Sequence, residues 1–314
     1  MSVSSEKKNI TPLDTPVLLI VFNRPDVTRR VFAAIRQARP RQIFIAADGP
    51  RSHRPEDHAK CQAVRDITTQ VDWDCEVRTL FREENQGCKR AVSGAIDWFF
   101  EQVEEGIILE DDCLPNQSFF RYCQAVLKQY RDDTRIVHVN GNNYSYRASE
   151  SAATDFSYHF TYFSQVWGWA TWRRAWQRYD VDMKLFPQFD QASYYKHAGV
   201  SGMGFQTLRE KWVDVYEGRV DTWDYQWHFI NLLEGGLAVA PRANLITNLG
   251  FQADATHTTT ASPSRQNLPT QELTFPLNHP PCLFVDEPLN THYRRMMIKP
   301  SLVGSVKRKL RQFA

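Results

Sequence analysis

Gly106-Ile107-Ile108-Leu109-Glu110-Asp111-Asp112 is an apolar run that ends abruptly in three carboxylates. A run of this length reads as a strand buried on both faces, as in a parallel sheet covered by helices. Three adjacent acids at its tip repel one another unless a cation or a polar ligand sits between them. The carboxyl ends of strands are where open α/β sheets bind ligands. The stretch therefore points to a divalent metal carrying a phosphorylated ligand. A plainer reading stays open: acids after a strand also cap the next helix or face water.

The sequence on either side has the texture of such a sheet. Val17 to Phe22 is a continuous apolar run, broken by Asn23-Arg24-Pro25-Asp26 with Pro25 placed as an early helical residue. Val27, Val31, Ala34, Ile35 and Ala38 recur at helical spacing and predict a helix that ends before Pro40. Ile43 to Ala47 is a second buried strand, stopped by Asp48-Gly49-Pro50, and a polar helix fills 56–71. Glu76 to Phe81 is a third strand, and Asn85-Gln86-Gly87 opens a helix with Ala91, Ala95, Trp98 and Phe99 on one face. Beyond the acids, a helix over 117–130 leads into a strand at Ile136 to Asn140. This alternation predicts an α/β fold with a Rossmann-like, mostly parallel sheet and helices on both faces.

After about Tyr144 the composition changes. Residues 160–176 are dense in aromatics, a helix is expected over 205–217, and Asp221-Thr222-Trp223-Asp224 begins another that Gly235-Gly236 ends. Leu237 to Ala240 is a late strand. Residues 251–288 are rich in Thr, Pro and Asn and read as loops over a cleft. The last residues set Lys307, Arg308, Lys309 and Arg311 beside Leu302, Val303, Val306 and Leu310. That basic amphipathic tail reads equally as a solvated terminal helix or as a peripheral membrane contact.

Composition removes several function classes. A chain of 314 residues holds one large or two modest domains. With 38 basic against 36 acidic residues it offers no electrostatic case for a nucleic-acid partner. Cys61, Cys75, Cys88, Cys113, Cys123 and Cys282 are scattered without a CxxC pair, which excludes zinc spacing and favours a reducing compartment. Met1 to Asp14 is polar and lacks a signal-peptide core, and no segment nears the roughly 20 apolar residues of a membrane span. The expected location is the cytoplasm, with the tail allowing contact at the inner face of a membrane.

Four strand ends bring polar residues to one edge of the sheet: Asn23-Arg24, Asp48-Gly49, Glu110-Asp111-Asp112 and Asn140-Gly141-Asn142. The order strand-NRP-helix, strand-DGP, NQGCKRA-helix and strand-EDDCLP resembles the nucleotide-sugar domain of a GT-A glycosyltransferase. The pattern is similar to that of N-acetylglucosaminyltransferase I and its relatives, whose variant of the DxD motif is EDD. The resemblance covers residues 15–145 well, continues through Trp167-Gly168-Trp169 and Thr222 to Trp227, and stops near 258. It implies a nucleotide-sugar-binding subdomain at 15–145 and an aromatic-rich catalytic and acceptor subdomain at 146–258. A disordered N-terminus at 1–14 and a loop-rich segment at 259–314 flank them.

The resemblance also implies roles. Asp112 would be the direct ligand of Mn²⁺ or Mg²⁺, with Glu110 and Asp111 reaching donor sugar, ribose or metal-bound water. Such a metal joins one or two carboxylates to substrate phosphates and offsets the charge of a departing diphosphate. Asp48 would accept from a uracil nitrogen, Asn23 and Arg24 would lie around the base and phosphates, and Lys89 or Arg90 would fall near the nucleotide. Asp224, in a Trp-Asp pair at a helix start, matches the base that takes the acceptor hydroxyl proton. Capping that helix is the alternative role for Asp224 or Asp221. Trp169, with Trp167 and Trp172, stacks on sugar or belongs to the core. Gly168 between two Trp implies a close backbone approach, and His257 is a late metal or diphosphate ligand or a surface residue.

The expected activity is that of an inverting glycosyltransferase moving a sugar from a nucleotide-diphosphate donor, above all a UDP-sugar, to a glycan or glycolipid hydroxyl, as in polysaccharide biosynthesis. A sugar-nucleotide nucleotidyltransferase is the second enzyme reading, but Phe22-Asn23-Arg24-Pro25 lacks the glycines such a loop uses. A non-catalytic carbohydrate-binding relative is the third, and it would not need Glu110, Asp111, Asp112 and Asp224.

Overall fold

The computed structural model describes residues 12–145, 154–250 and 268–298. Its centre is β1 (Val17–Val21), five consecutive buried aliphatic residues. It pairs in parallel with β2 (Gln42–Ala47) on one side and β4 (Glu105–Glu110) on the other. β3 (Glu76–Phe81) extends the parallel set beyond β2. The full order is β3-β2-β1-β4-β8-β6-β9-β7, with β6 at Ile136–Asn140, β7 at Tyr158–Thr161, β8 at Trp169–Trp172 and β9 at Leu237–Pro241. β8 runs antiparallel to both β4 and β6, and edge strand β7 opposes β9. The sheet is therefore mostly parallel, as the sequence predicts.

Successive side chains of a strand point to opposite faces, and both faces are covered. Val17, Leu19 and Val21 join the core under α1 (Pro25–Ala38), α2 (Glu56–Thr68) and α4 (Gln117–Gln129). Leu18 and Ile20 join the other core, under α3 (Gly87–Phe100), α5 (Arg173–Trp176), α6 (Gly202–Tyr216) and α7 (Asp224–Glu234). That double cover is why the strands read as unbroken apolar runs. A second sheet joins β5 (Cys113–Pro115) to β10 (Ile246–Asn248), antiparallel, with Asn248 opposite Cys113. Helix α8 (Glu287–Met297) follows a stretch read as loop; Asp286 caps it by accepting from Leu289 N at 3.1 Å. No helix among the described residues is long and apolar enough to cross a membrane.

The loops leaving β1 and β2 are locked by one buried acid. Asp57, in the first turn of α2, accepts from Arg51 Nε at 2.5 Å and Nη2 at 3.0 Å and from Asn23 Nδ2 at 2.7 Å. The Arg51 guanidinium also lies 5.2 Å from the Phe22 ring centre. The hydrogen bonds from Arg51 hold the Asp57 carboxyl at about 2, below its ordinary 3.8. A depressed carboxyl contributes stability that is present above the ordinary value and lost as pH falls through the folded one. Asp57→Asn should therefore cost about 2 kcal/mol at pH 7. Urea denaturation should show that deficit shrinking between pH 4 and pH 2.

Candidate active site

The acids stand at the tip of β4, two strands from β2 and beside β1. Arg24, the residue before α1, sets its guanidinium between the two aspartates. Its Nη2 bonds Asp111 Oδ1, its Nε donates to Asp111 Oδ2 at 3.3 Å, and its Nη1 lies 3.0 Å from Asp112 Oδ2. Burial alone lowers the Arg24 guanidinium, but Asp111 and Asp112 outweigh it and raise it. Burial pushes Asp111 up while Arg24 pulls it back. Glu110 is pushed up to about 8, first by burial and then by the charges of Asp112 and Asp111. One guanidinium thus faces three carboxylates, and negative charge is left over.

Asp112 is also gripped by its backbone, because Leu249 N donates to its carbonyl at 2.7 Å. Gly250 passes so close that a Cβ there would meet Asp112 Oδ2 at 2.2 Å. The Asp112 side chain keeps 14 % of its surface exposed against 4 % for Asp111, so it is the aspartate that a ligand can reach.

A second group of acids surrounds the first turn of α3. Asp48, buried at the tip of β2, accepts from Gln86 N at 3.1 Å and from Asn85 Nδ2 at 2.8 Å. Burial raises its carboxyl, and the backbone N–H of Gln86 pulls it only part of the way back. Asp221 accepts from Cys88 N at 2.8 Å and Lys89 N at 3.0 Å. Asp224 sits half-buried in the first turn of α7, bonded by the Thr222 hydroxyl. Burial, then the charges of Glu110, Asp224, Asp221 and Asp48, push the Cys88 thiol up.

Several expected site residues lie elsewhere. Asn23 turns toward Asp57, and Arg90 is exposed and pairs with Asp182 at 3.0 Å. Lys89 meets Asp221 through its backbone N–H. Trp169 is fully buried, stacked on His138 at 4.8 Å and on Trp223 at 5.6 Å, so neither ring face is open to a sugar. Its place is in the core. The close approach expected at Gly168 is to the protein itself: φ is +60° and a Cβ would meet Ile246 Cδ1 at 2.5 Å. Asp221 caps α3, not the α7 helix it precedes. His257 and the basic tail from Lys299 onward lie outside the described residues. Asp57, Arg51 and the α3-capping role of Asp221 are not foreseen from sequence. Asp57 carried one signal, its place just after Pro55 at a helix start.

Among the described residues no three His, Cys, Asp or Glu side chains gather at metal-binding spacing. The donor set nonetheless fits a hard cation that arrives with an anionic ligand. Mg²⁺ and its like use one or two carboxylates plus substrate phosphates, and here Asp112 offers a reachable carboxylate beside unbalanced negative charge. What the residues do not form is a cage made by protein alone.

Removing the guanidinium would leave buried acids without a counter-charge. Arg24→Gln should destabilise the protein by about 3 kcal/mol. Adding Asp111→Asn should recover at least half of that loss. Denaturant midpoints of the single and double variants read this coupling; additive losses would show that Arg24 and Asp111 act separately.

No protein-family model matches the chain, and no curated protein matches it. Among solved structures it is similar to GalNAc-T7 with UDP, GalNAc and Mn²⁺, at 13% identity and a TM-score of 0.44, over 75% of this chain and 43% of that one. It is also similar to 4-diphosphocytidyl-2C-methyl-D-erythritol synthase from Anaerococcus prevotii, at 11% identity and a TM-score of 0.32, over 56% of this chain and 85% of that one. The chain spans less than half the length of the GalNAc-T7 chain. Likenesses this loose carry no argument about the reaction, which rests on the chain's own residues.

Proposed function

We propose that the protein is a metal-dependent, inverting glycosyltransferase that moves a sugar from a nucleotide-diphosphate donor, a UDP-sugar first of all, to a hydroxyl of a glycan or glycolipid. The observation that carries the reading is the acid triplet at the tip of β4, with Arg24 and Asp48 at the neighbouring tips of β1 and β2. Ligands of open α/β sheets bind outside the carboxyl ends of the strands. In this reading residues 15–145 hold the donor and residues 146–258 present the acceptor.

Asp112 would hold Mn²⁺ or Mg²⁺ together with the donor diphosphate, and the cation would offset the charge of that leaving group. Arg24 keeps Asp111 and Asp112 apart and aimed, and its fixed charge favours an incoming diphosphate. Asp224 is near enough to the acid triplet to add to the charge that raises the Glu110 carboxyl. Asp224 takes the proton from the acceptor hydroxyl as that oxygen attacks the anomeric carbon. The Thr222 hydroxyl on one Asp224 oxygen fixes the carboxylate's orientation.

Heat denaturation with nucleoside diphosphates tests the binding half of this reading. UDP at a hundred times its dissociation constant, with Mn²⁺, should raise the melting temperature by about 5 °C. Asp112→Ala should abolish that shift. Protection by no nucleoside diphosphate would sink the reading. Asp224→Ala should keep the shift while lowering turnover of the matching donor at least about a hundredfold. Equal loss of binding in both variants would remove the base role from Asp224.

A further inference from the structure

Helix α3 begins without a side-chain cap and without an acid in its own first turn. A helix start exposes up to four unbonded N–H groups and favours negative charge. Here those groups are served from outside. Asp48 takes Gln86 N, and Asp221 takes Cys88 N and Lys89 N across 133 and 132 residues of chain. Gly87 makes the second contact possible: its φ is +76°, and a Cβ on it would meet Asp221 Oδ2 at 2.7 Å.

Asp221 is exposed, so burial does not account for its being there. What it carries is the turn leading into α7. Within that turn Trp223 is buried against Trp169, and its carbonyl accepts from Tyr179 OH at 3.1 Å. The Thr222 carbonyl accepts from Gln226 Nε2 at 2.7 Å, and its hydroxyl bonds Asp224. Those contacts fix the turn's inner side. The outer side is tied to α3 by Asp221, and α3 follows the β3 strand and the Asp48 loop at the donor edge.

We propose that Asp221 is a positioning residue: by bonding the first turn of α3 it sets where Asp224 stands relative to the acids of β4. This rests on the reading of Asp224 as the base, but its mechanical part can be measured without turnover. Two variants break the contact from opposite sides, Asp221→Ala by deleting the carboxylate and Gly87→Ala by crowding it out. Asp221→Asn keeps one acceptor oxygen.

Amide hydrogen exchange on the full chain reads the tie. In Asp221→Ala and Gly87→Ala, Cys88 and Lys89 should exchange at least about tenfold faster. So should His228 and Phe229, whose amides close the first turn of α7. Asp221→Asn should fall between these variants and the parent. With a UDP-sugar that the parent hydrolyses, kcat should drop about tenfold while KM for the donor stays within about twofold. Faster exchange at Cys88 and Lys89 alone, with α7 and kcat unchanged, would overturn the proposal and leave Asp221 as a cap of α3 only. If the parent hydrolyses no UDP-sugar while α7 still responds, the base reading of Asp224 fails and the tie between the helices stands.

Discussion

Negative charge at the carboxyl edge of the sheet has to be matched group by group, and the loops there are arranged around that requirement. An isolated carboxylate withdrawn from water is costly unless it is paired or fully hydrogen-bonded. Asp111 and Asp112 share Arg24. Asp57 takes Arg51 and Asn23. Asp48 and Asp221 turn to the backbone N–H groups at the start of α3. Each solution joins two segments distant in sequence, so satisfying the acids and placing the loops are one event. Glu110 has Asp111, Asp112 and Asp224 among its charged neighbours, and only the Arg24 charge offsets their effect on its carboxyl.

Behind this edge the sheet is backed by a rigid aromatic layer. Trp169 lies against His138, Trp223, Trp176 and Trp227. His138 accepts from Trp227 Nε1 at Nδ1, 3.0 Å away, and its Nε2 meets the Gln165 carbonyl at 2.9 Å. Burial drives its imidazole down to about 4, so the ring stays neutral and its two nitrogens keep fixed roles. Trp223, one residue before Asp224, belongs to this layer. The candidate base therefore stands on packed rings, and rigid support of this kind holds a site more precisely than a loop does.

The parallel strands were legible because burial on both faces makes them unbroken apolar runs, as at Val17–Val21 and Ile43 to Ala47. The antiparallel strands were not. Tyr158–Thr161 and Trp169–Trp172 are four residues each and fully buried, so neither alternates, and they read only as aromatic density. Helix α8 was hidden by the Pro- and Thr-rich stretch before it, although Asp286 and Pro288 mark its start. In the site, the acids were legible as residue types, but their partners were not. Nothing local in the sequence pairs Arg24 with Asp111, and Asp221 was readable as a cap for the helix it precedes, not for one far upstream. Contacts across such separations are set by the closed fold.

The small β5–β10 sheet has a consequence for the order in which the site comes into being. Cys113–Pro115 follows the acids directly, but its partner strand is Ile246–Asn248, and Leu249 completes the grip on Asp112. During synthesis the acids leave the ribosome long before that partner does, and domains fold from the N-terminal side as chain emerges. A nascent or clipped chain ending before Ile246 would carry the whole acid triplet and Arg24, but not the Leu249 N–H that holds the Asp112 backbone. The Asp112 backbone at this edge is thus completed only when the late strand has docked.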